Sequence, residues 1–259
     1  VVLLTNDDGF DSPLIRAWAR RIAAWFTPVI VAPTHEMSWA SARHETTRDV
    51  RVMRCRRAAH LTYKVTGSPV DCVHLALQHL KLRPALVISG PNFGLNTGMM
   101  RIVFSGTVQA ALAAVRLGVP SVAVSIYYPR AVRDFCPHVG DLTPALYQAE
   151  LQAAAQILHK LWRRRCLRQG CININLPYPA PDPARATVAP VHEDSGLRIF
   201  KTHGARRFQS LPAYPDFDGV PAGSDMGLLR RGLIAVTPLK VQFDDRLRQP
   251  GLQHALQAP

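Results

Sequence analysis

The sequence predicts an α/β protein, a doubly wound and mostly parallel sheet covered by helices on both faces, and three observations carry that prediction. Four short apolar runs, VVLL (1–4), VIVA (29–32), LVIS (86–89) and VAVSI (122–126), read as strands buried on both sides. Helical patterns alternate with these runs, and alternation of strand and helix implies parallel strands joined by crossovers. Three helix starts share one device, a hydroxyl followed by proline, at Ser12-Pro13, Ser68-Pro69 and Thr143-Pro144. The hydroxyl caps an orphan amide, and the proline fixes φ for helix entry.

The elements follow in order. After the first strand, Ile15, Trp18, Ile22 and Trp25 recur at helical spacing, as do Val70, Val73, Leu77 and Leu80 further on. A small-residue helix runs from about residue 106 to 117, with Gly118 as its stop. The next is expected from Thr143 toward Arg163, where three arginines suit the negative end of a helix. Beyond NINLP (173–177) the character changes. YPAPDPAR (178–185) is a proline-rich connector, and GLIAVTPLKVQF (232–243) is the one clear extended run after it. We therefore expect a Rossmann-like core over 1–177, carrying the site, and a connector with a β-rich C-terminal extension over 178–259.

Composition excludes several classes. With 259 residues, 47% of them hydrophobic, the chain can bury a full core. No run of about 18 uncharged apolar residues occurs, so no membrane span is expected. Five scattered cysteines argue against a disulfide framework and for a reducing, cytoplasmic setting. The chain opens on Val1 directly in a strand, which leaves an upstream targeting segment open. The net charge of +13 gathers in clusters such as RCRR (54–57), RRRC (163–166) and LLRRG (228–232). These read as solvated ends or as attraction for polyanions, yet no zinc-finger spacing or RNA-binding aromatic signature accompanies them. A specific nucleic-acid module is not expected.

In a doubly wound sheet, ligands bind beyond the carboxyl ends of the strands. The first strand leads into NDDG, with Asn6, Asp7 and Asp8; the second into PTHEMSWAS, with Ser38 and Ser41; the third into GPNFGLNTG, with Asn92 and Asn96. These loops should converge. Adjacent carboxylates repel unless neutralised, and an all-oxygen donor set suits one divalent cation such as Mg²⁺, Mn²⁺ or Ca²⁺ rather than zinc. Further along, Ser105-Gly106-Thr107 opens a helix whose free amides would suit a phosphate. A cation site beside an anion site describes metal-assisted phosphoryl chemistry. The attacking water would be oriented by Asp7 or Asp8, with an aspartyl-phosphate route left open.

The motifs TNDDGFDSP, APTHEMSWAS, GSPVDCV, ISGPNFGLNTG, SGTVQAAL, NINLP, and GSD followed by GLIAVTPL resemble, in this order, the SurE (survival protein E) family of nucleotidases and acid phosphatases. The likeness spans nearly the whole chain, and GPN with the long NTGMM loop looks closer to the family's eukaryotic branch. The resemblance implies a metal-dependent phosphomonoesterase that hydrolyses nucleoside 5′-monophosphates, in some members also 3′-monophosphates and polyphosphate. It implies metal ligands at Asp7, Asp8, Ser38 and Asn92. Phosphate contacts are implied at Asn96, Ser105, Gly106 and Thr107, with Asn6 beside them. It also implies a homodimer or homotetramer formed through the C-terminal extension.

Some residues depart from the family pattern. Trp39 stands where bacterial members usually have glycine, and a tryptophan disfavours positive φ, which calls the path of the loop and the role of Ser38 into question. Trp39 could instead stack on a nucleobase or simply pack. Cys72 reads as a packed core thiol, Asp71 as a partner of its helix N-terminus, and Asp225 as the anchor of a loop, with a site role left open by its family match. The other readings are a nucleotide- or polyanion-binding protein that has lost catalysis, and a haloacid-dehalogenase-type phosphatase, whose DxD pattern the adjacent DD does not match.

Overall fold

In the computed structural model, residues 1–55, 59–168, 170–193, 200–203, 207–210 and 217–240 are described. The strands are β1 (Val2–Thr5), β2 (Pro28–Pro33), β3 (Val52–Arg54), β4 (Leu61–Val65), β5 (Leu86–Phe93), β6 (Ser121–Tyr127), β7 (Cys171–Pro177), β8 (Thr187–Val188), β9 (Phe200–Thr202), β10 (Phe208–Ser210) and β11 (Ala235–Leu239). The helices are α1 (Pro13–Ile22), α2 (Pro69–His74), α3 (Met99–Phe104), α4 (Gly106–Arg116), α5 (Arg130–Phe135), α6 (Gln148–Arg163) and α7 (Asp225–Arg230).

Nine strands form one sheet in the order β3-β4-β2-β1-β5-β6-β7-β11-β8, and β9 pairs with β10 separately. The run from β4 to β7 is parallel throughout, while β3 and β11 enter antiparallel at either side of it. From β1 the chain winds outward through β2 to β4, then returns to β5 and winds the other way. The crevice between the carboxyl ends of β1 and β5 is therefore the topological switch point, where this architecture binds ligands.

Strand residues alternate between two cores, as the two-residue period requires. Leu4, Ile30, Ile88 and Val124 face α1 and α6, where Trp18 is wholly buried. Leu3, Val31 and Val87 face α2 and α4, through Cys72, Val73, Ala110 and Ala114. The small residues of α4 let it lie close to the sheet, which brings its first turn to the end of β1.

The hydroxyl-proline starts hold at two of three places. Ser12 accepts from the Leu14 amide, and Ser68 forms a reciprocal box with Asp71. At Thr143 the outcome differs. Pro144–Leu146 is a single 3₁₀ turn, Tyr147 breaks the path at φ −140°, and α6 begins only at Gln148. The Thr143 side chain makes no capping bond, so the proline starts a turn and the longer helix needs its own beginning.

Two features after residue 177 bear on the site. β11 lies antiparallel beside β7, and α7 carries Asp225 back toward the carboxyl edge. The end of GLIAVTPLKVQF and all of 241–259 lie outside the described residues, as do Arg56 and Arg57 of the first basic cluster. No helix among the described residues is long and apolar enough to cross a membrane.

Candidate active site

NDDG leaves β1 at the switch point. The Asn6 side chain donates from Nδ2 to Gly9 O at 2.9 Å and so closes the turn. Asp7 and Asp8 then face different elements, the start of α4 for Asp7 and the end of β5 for Asp8. Asp7 takes two bonds from Thr107, one from the amide to Oδ2 at 3.0 Å and one from the hydroxyl to Oδ1. Gly106 allows this approach, because a Cβ there would stand 3.1 Å from Asp7 Cβ and Oδ2. The positive end of α4 thus faces a carboxylate of the chain itself.

Asp8 Oδ2 accepts from the Phe93 amide at 3.0 Å. That amide is presented by an irregularity in β5, whose register against β6 shifts between Ser89 and Asn92. Gly90 makes the shift possible: it has φ 106°, and a Cβ there would meet Val124 O at 2.2 Å. GPN therefore ends a buried strand by turning Asn92 into the crevice.

Asp7 and Asp8 are 3% and 7% exposed. Burial pushes both carboxyls upward; for Asp8 the charge of Asp7 adds to the rise, and Glu36 raises both further. The Thr107 bonds hold Asp7 back, while the Phe93 amide and, last, Arg133 do so for Asp8.

A cavity of about 350 Å³ opens on this cluster. Of the residues expected from the sequence, Asp7, Ser38, Asn92, Asn96 and Ser105 line it. Asp8, Asn6, Gly106 and Thr107 do not line it; Asp8 and Thr107 are bonded to the lining residues Phe93 and Asp7. The Ser38 hydroxyl donates to Glu36 Oε1 at 2.8 Å. Asn96 is locked in place: its side chain donates to Ser125 Oγ, its amide to Asn175 Oδ1, and its carbonyl accepts from Asn173 and Asn175. Ser105 Oγ caps α4 through the Val108 amide at 3.0 Å. The Thr107 amide, expected to be free for an anion, is instead committed to Asp7.

Sequence reasoning missed three charged groups on the cavity wall, Glu36, Arg101 and Arg133. Glu36 lies two residues before Ser38, in the loop already expected at the site. Arg133 sits with its guanidinium 4.0 Å over the Phe93 ring and donates to Phe93 O at 2.8 Å, a long-range placement that no local pattern announces.

Trp39 also lines the cavity and has φ 63°. The left-handed backbone disfavoured for tryptophan is adopted after all, at a cost of about 1–3 kcal/mol. Pinning on both sides explains it. Met37 N donates to Asp7 O at 2.7 Å, while Ser41 donates from its amide and hydroxyl to Phe104 O and Val103 O.

The remaining residues behave as structural parts. Cys72 is wholly buried, and burial pushes its thiol far up, leaving it protonated and packed. Asp71 closes its capping box and accepts from His44 Nδ1. Asp225 anchors two segments, accepting from Gly98 N at 3.0 Å and His192 N at 2.9 Å.

The chemistry of the donor set fits a hard divalent cation. Burial raises the proton affinity of both carboxylates, the charge of Asp7 adds to it for Asp8, and Asn6 Oδ1 beside them is buried without a hydrogen-bond partner. Among the described residues no group of three or more His, Cys, Asp or Glu side chains forms a metal centre. A cation beside Asp7 and Asp8 would draw hydroxyl and amide oxygens as well, a hard donor set.

Fold and site together define a Rossmann-like α/β protein with an acidic crevice at the switch point of its sheet. A family model described as "Survival protein SurE" matches residues 2–197, and the chain belongs to that family. It is 31% identical to the 5′-nucleotidase SurE of Methylococcus capsulatus, over 96% of each chain. It is also 34% identical to that of Laribacter hongkongensis, over 93% of each, and 32% to that of Mannheimia succiniciproducens, over 99% of each. These relatives are bacterial, so the likeness to the eukaryotic branch read from GPN and NTGMM finds no support in them. The crystal structure of SurE from Aquifex aeolicus overlays with a TM-score of 0.74 over 98% of this chain and 99% of that one. At 22% identity that likeness speaks for the fold alone.

Proposed function

We propose that the protein is a nucleotidase, a phosphomonoesterase that hydrolyses nucleoside 5′-monophosphates to nucleoside and phosphate. The observation that carries this is the buried Asp7–Asp8 pair opening on a cavity at the switch point, in a chain whose relatives over almost its full length are named 5′-nucleotidases.

Family nucleotidases are metal-dependent. We assign one divalent cation, Mg²⁺ or Mn²⁺, to Asp7, Asp8, Ser38 and Asn92; when bound, such an ion neutralises the two carboxylates and withdraws electron density from the phosphoryl group. Asp7 is held on both oxygens by Thr107 and is suited to a fixed ligand's part. Asp8 is held on one oxygen, by Phe93 N, so to Asp8 we give the further task of orienting the attacking water. The phosphate would lie against Ser105, the Gly106 amide and Asn96, with Asn6 and Thr107 supporting from behind. Arg101 and Arg133 bring positive charge to the same wall, where it offsets charge growing on the phosphoryl oxygens. Nucleoside 3′-monophosphates and short polyphosphate are further substrates on this reading. We assign residues 178–259 to assembly as a homodimer or homotetramer, with 1–177 carrying the catalytic site.

Phosphate release from a panel of nucleoside monophosphates, with Mg²⁺, Mn²⁺ or EDTA, tests the reading directly. Metal-dependent release that disappears in Asp8→Asn is the expected result. A folded protein that releases no phosphate with either metal would overturn the catalytic reading and leave a nucleotide-binding protein on the same fold.

A further inference from the structure

The cavity has an aromatic wall that the phosphoryl chemistry does not use. Trp39 is 44% exposed, although tryptophan is a residue that folding normally covers. Its ring leans on Phe104, with centroids 6.1 Å apart and planes tilted by 39°, so Phe104 backs the indole without enclosing it. Both residues line the same cavity as Asp7 and Asn92. Trp39 also follows directly on Ser38 in the chain.

The backbone adds an independent argument. A left-handed tryptophan is strained, and such strain persists where the surrounding structure over-determines it, most often at ligand sites. Here the flanking residues are bonded to Asp7 O on one side and to the end of α3 on the other. The backbone that carries the indole is thereby fixed beside the cavity, and the ring rests on Phe104 with 44% of Trp39 exposed. An exposed ring on a fixed backbone is what a flat ligand requires, because little freedom is lost on binding.

We propose that Trp39, backed by Phe104, is the platform on which the substrate's nucleobase stacks. This rests on the nucleotidase reading and names the feature by which the site selects nucleotides among phosphomonoesters. Every base has a π-face, so stacking of this kind tolerates all bases. Purines overlap the indole more than pyrimidines do and are bound in preference.

The test is calorimetric binding of AMP, CMP and ribose 5-phosphate to the whole protein in EDTA, where the proposed reaction does not turn over. Wild type, Trp39→Ala and Trp39→Phe are compared, with thermal melts to confirm folding. The ratio of AMP to ribose 5-phosphate affinity is expected to fall about tenfold in Trp39→Ala. It should fall less for CMP and be largely kept by Trp39→Phe. A ratio unchanged in Trp39→Ala, or equally lost in Trp39→Phe, overturns the platform. So does a wild-type protein that binds AMP no better than ribose 5-phosphate. Expected ratios in a protein that hydrolyses nothing would instead sink the catalytic reading and leave the platform standing.

Discussion

Thr107 grips Asp7 at both carboxylate oxygens, with its amide at 3.0 Å from Oδ2 and its hydroxyl on Oδ1. Both residues are buried, and 100 positions of sequence separate them. The start of α4 is therefore first of all a clamp on a carboxylate. Only the N-cap Ser105 and the first residue of α4, Gly106, remain to face an anion.

On the proposed assignment of Asp7 as a metal ligand, loss of the clamp's hydroxyl should be felt at the metal before it is felt in the fold. In Thr107→Val the amide bond survives, while Asp7 loses a charge-assisted partner and its orientation loosens. Partners one layer behind metal ligands commonly contribute 10- to 100-fold, so kcat/KM should fall by about that factor. The Mn²⁺ concentration giving half-maximal activity should rise with it. Thr107→Ser restores the hydroxyl and should recover most of both. Equal activity in Thr107→Val and wild type would show that the second bond to Asp7 does no catalytic work.

How much of this was legible beforehand depended on whether the signal was local. Apolar runs such as VIVA marked buried strands, and Ser12-Pro13 and Ser68-Pro69 marked helix starts, because caps and periodicity act over a few residues. The meeting of the three loops was legible because a parallel sheet puts all its strand ends on one edge. Long-range partners were not. Nothing near Thr107 announces Asp7, nothing in the AVRD stretch announces that Arg133 lies on Phe93, and the extended run at 232–239 does not name β7 as its neighbour. Thr143-Pro144 misled because a hydroxyl and a proline begin a 3₁₀ turn as readily as an α-helix.

Glu150, in the first turn of α6, supplies a pH dependence away from the site. It is 1% exposed; Oε1 accepts from the Ala180 amide at 3.2 Å, and Oε2 is buried without a partner. Burial pushes its carboxyl above the ordinary value of 4.5. A raised folded pKa means that the native state holds the proton more tightly than the unfolded chain. Its stabilising contribution is complete below 4.5 and is lost as pH rises through the folded value. Glu150→Gln should therefore be more stable at pH 7, by on the order of 1 kcal/mol or about 2–4 °C in Tm. The gain should vanish toward pH 4. Melting curves across that range check it, and a gain that grows on acidification would contradict the assignment.

Asp225 holds the loop that presents Asn96 in place. Its Oδ2 accepts from Gly98 N, and its Oδ1 from His192 N and Met226 N. Asparagine offers one oxygen, so in Asp225→Asn an NH₂ group must confront a buried backbone N–H. That mismatch costs about 1–3 kcal/mol. Because it falls on the loop and not on the carboxylates, KM for AMP should rise several-fold while kcat changes little. Steady-state kinetics with a thermal melt separate the two effects, and a kcat loss with KM intact would place Asp225 nearer the chemistry than its bonds indicate.

The strain at Trp39 makes a stability prediction separate from binding. At φ 63° a glycine has no Cβ to clash, so Trp39→Gly should recover about 1–2 kcal/mol of backbone energy. It also forfeits the contact with Phe104, an aromatic pairing of about 0.5–1.5 kcal/mol. The covered part of the indole adds to that loss, so the variant should melt at or below wild type. Trp39→Val is the informative contrast. It loses the same ring contact, keeps a Cβ, and adds a branched side chain that tolerates positive φ least of all. Trp39→Val should therefore melt well below Trp39→Gly. If the two melt together, the left-handed backbone at residue 39 carries no strain, and the loop is held by the indole's packing instead.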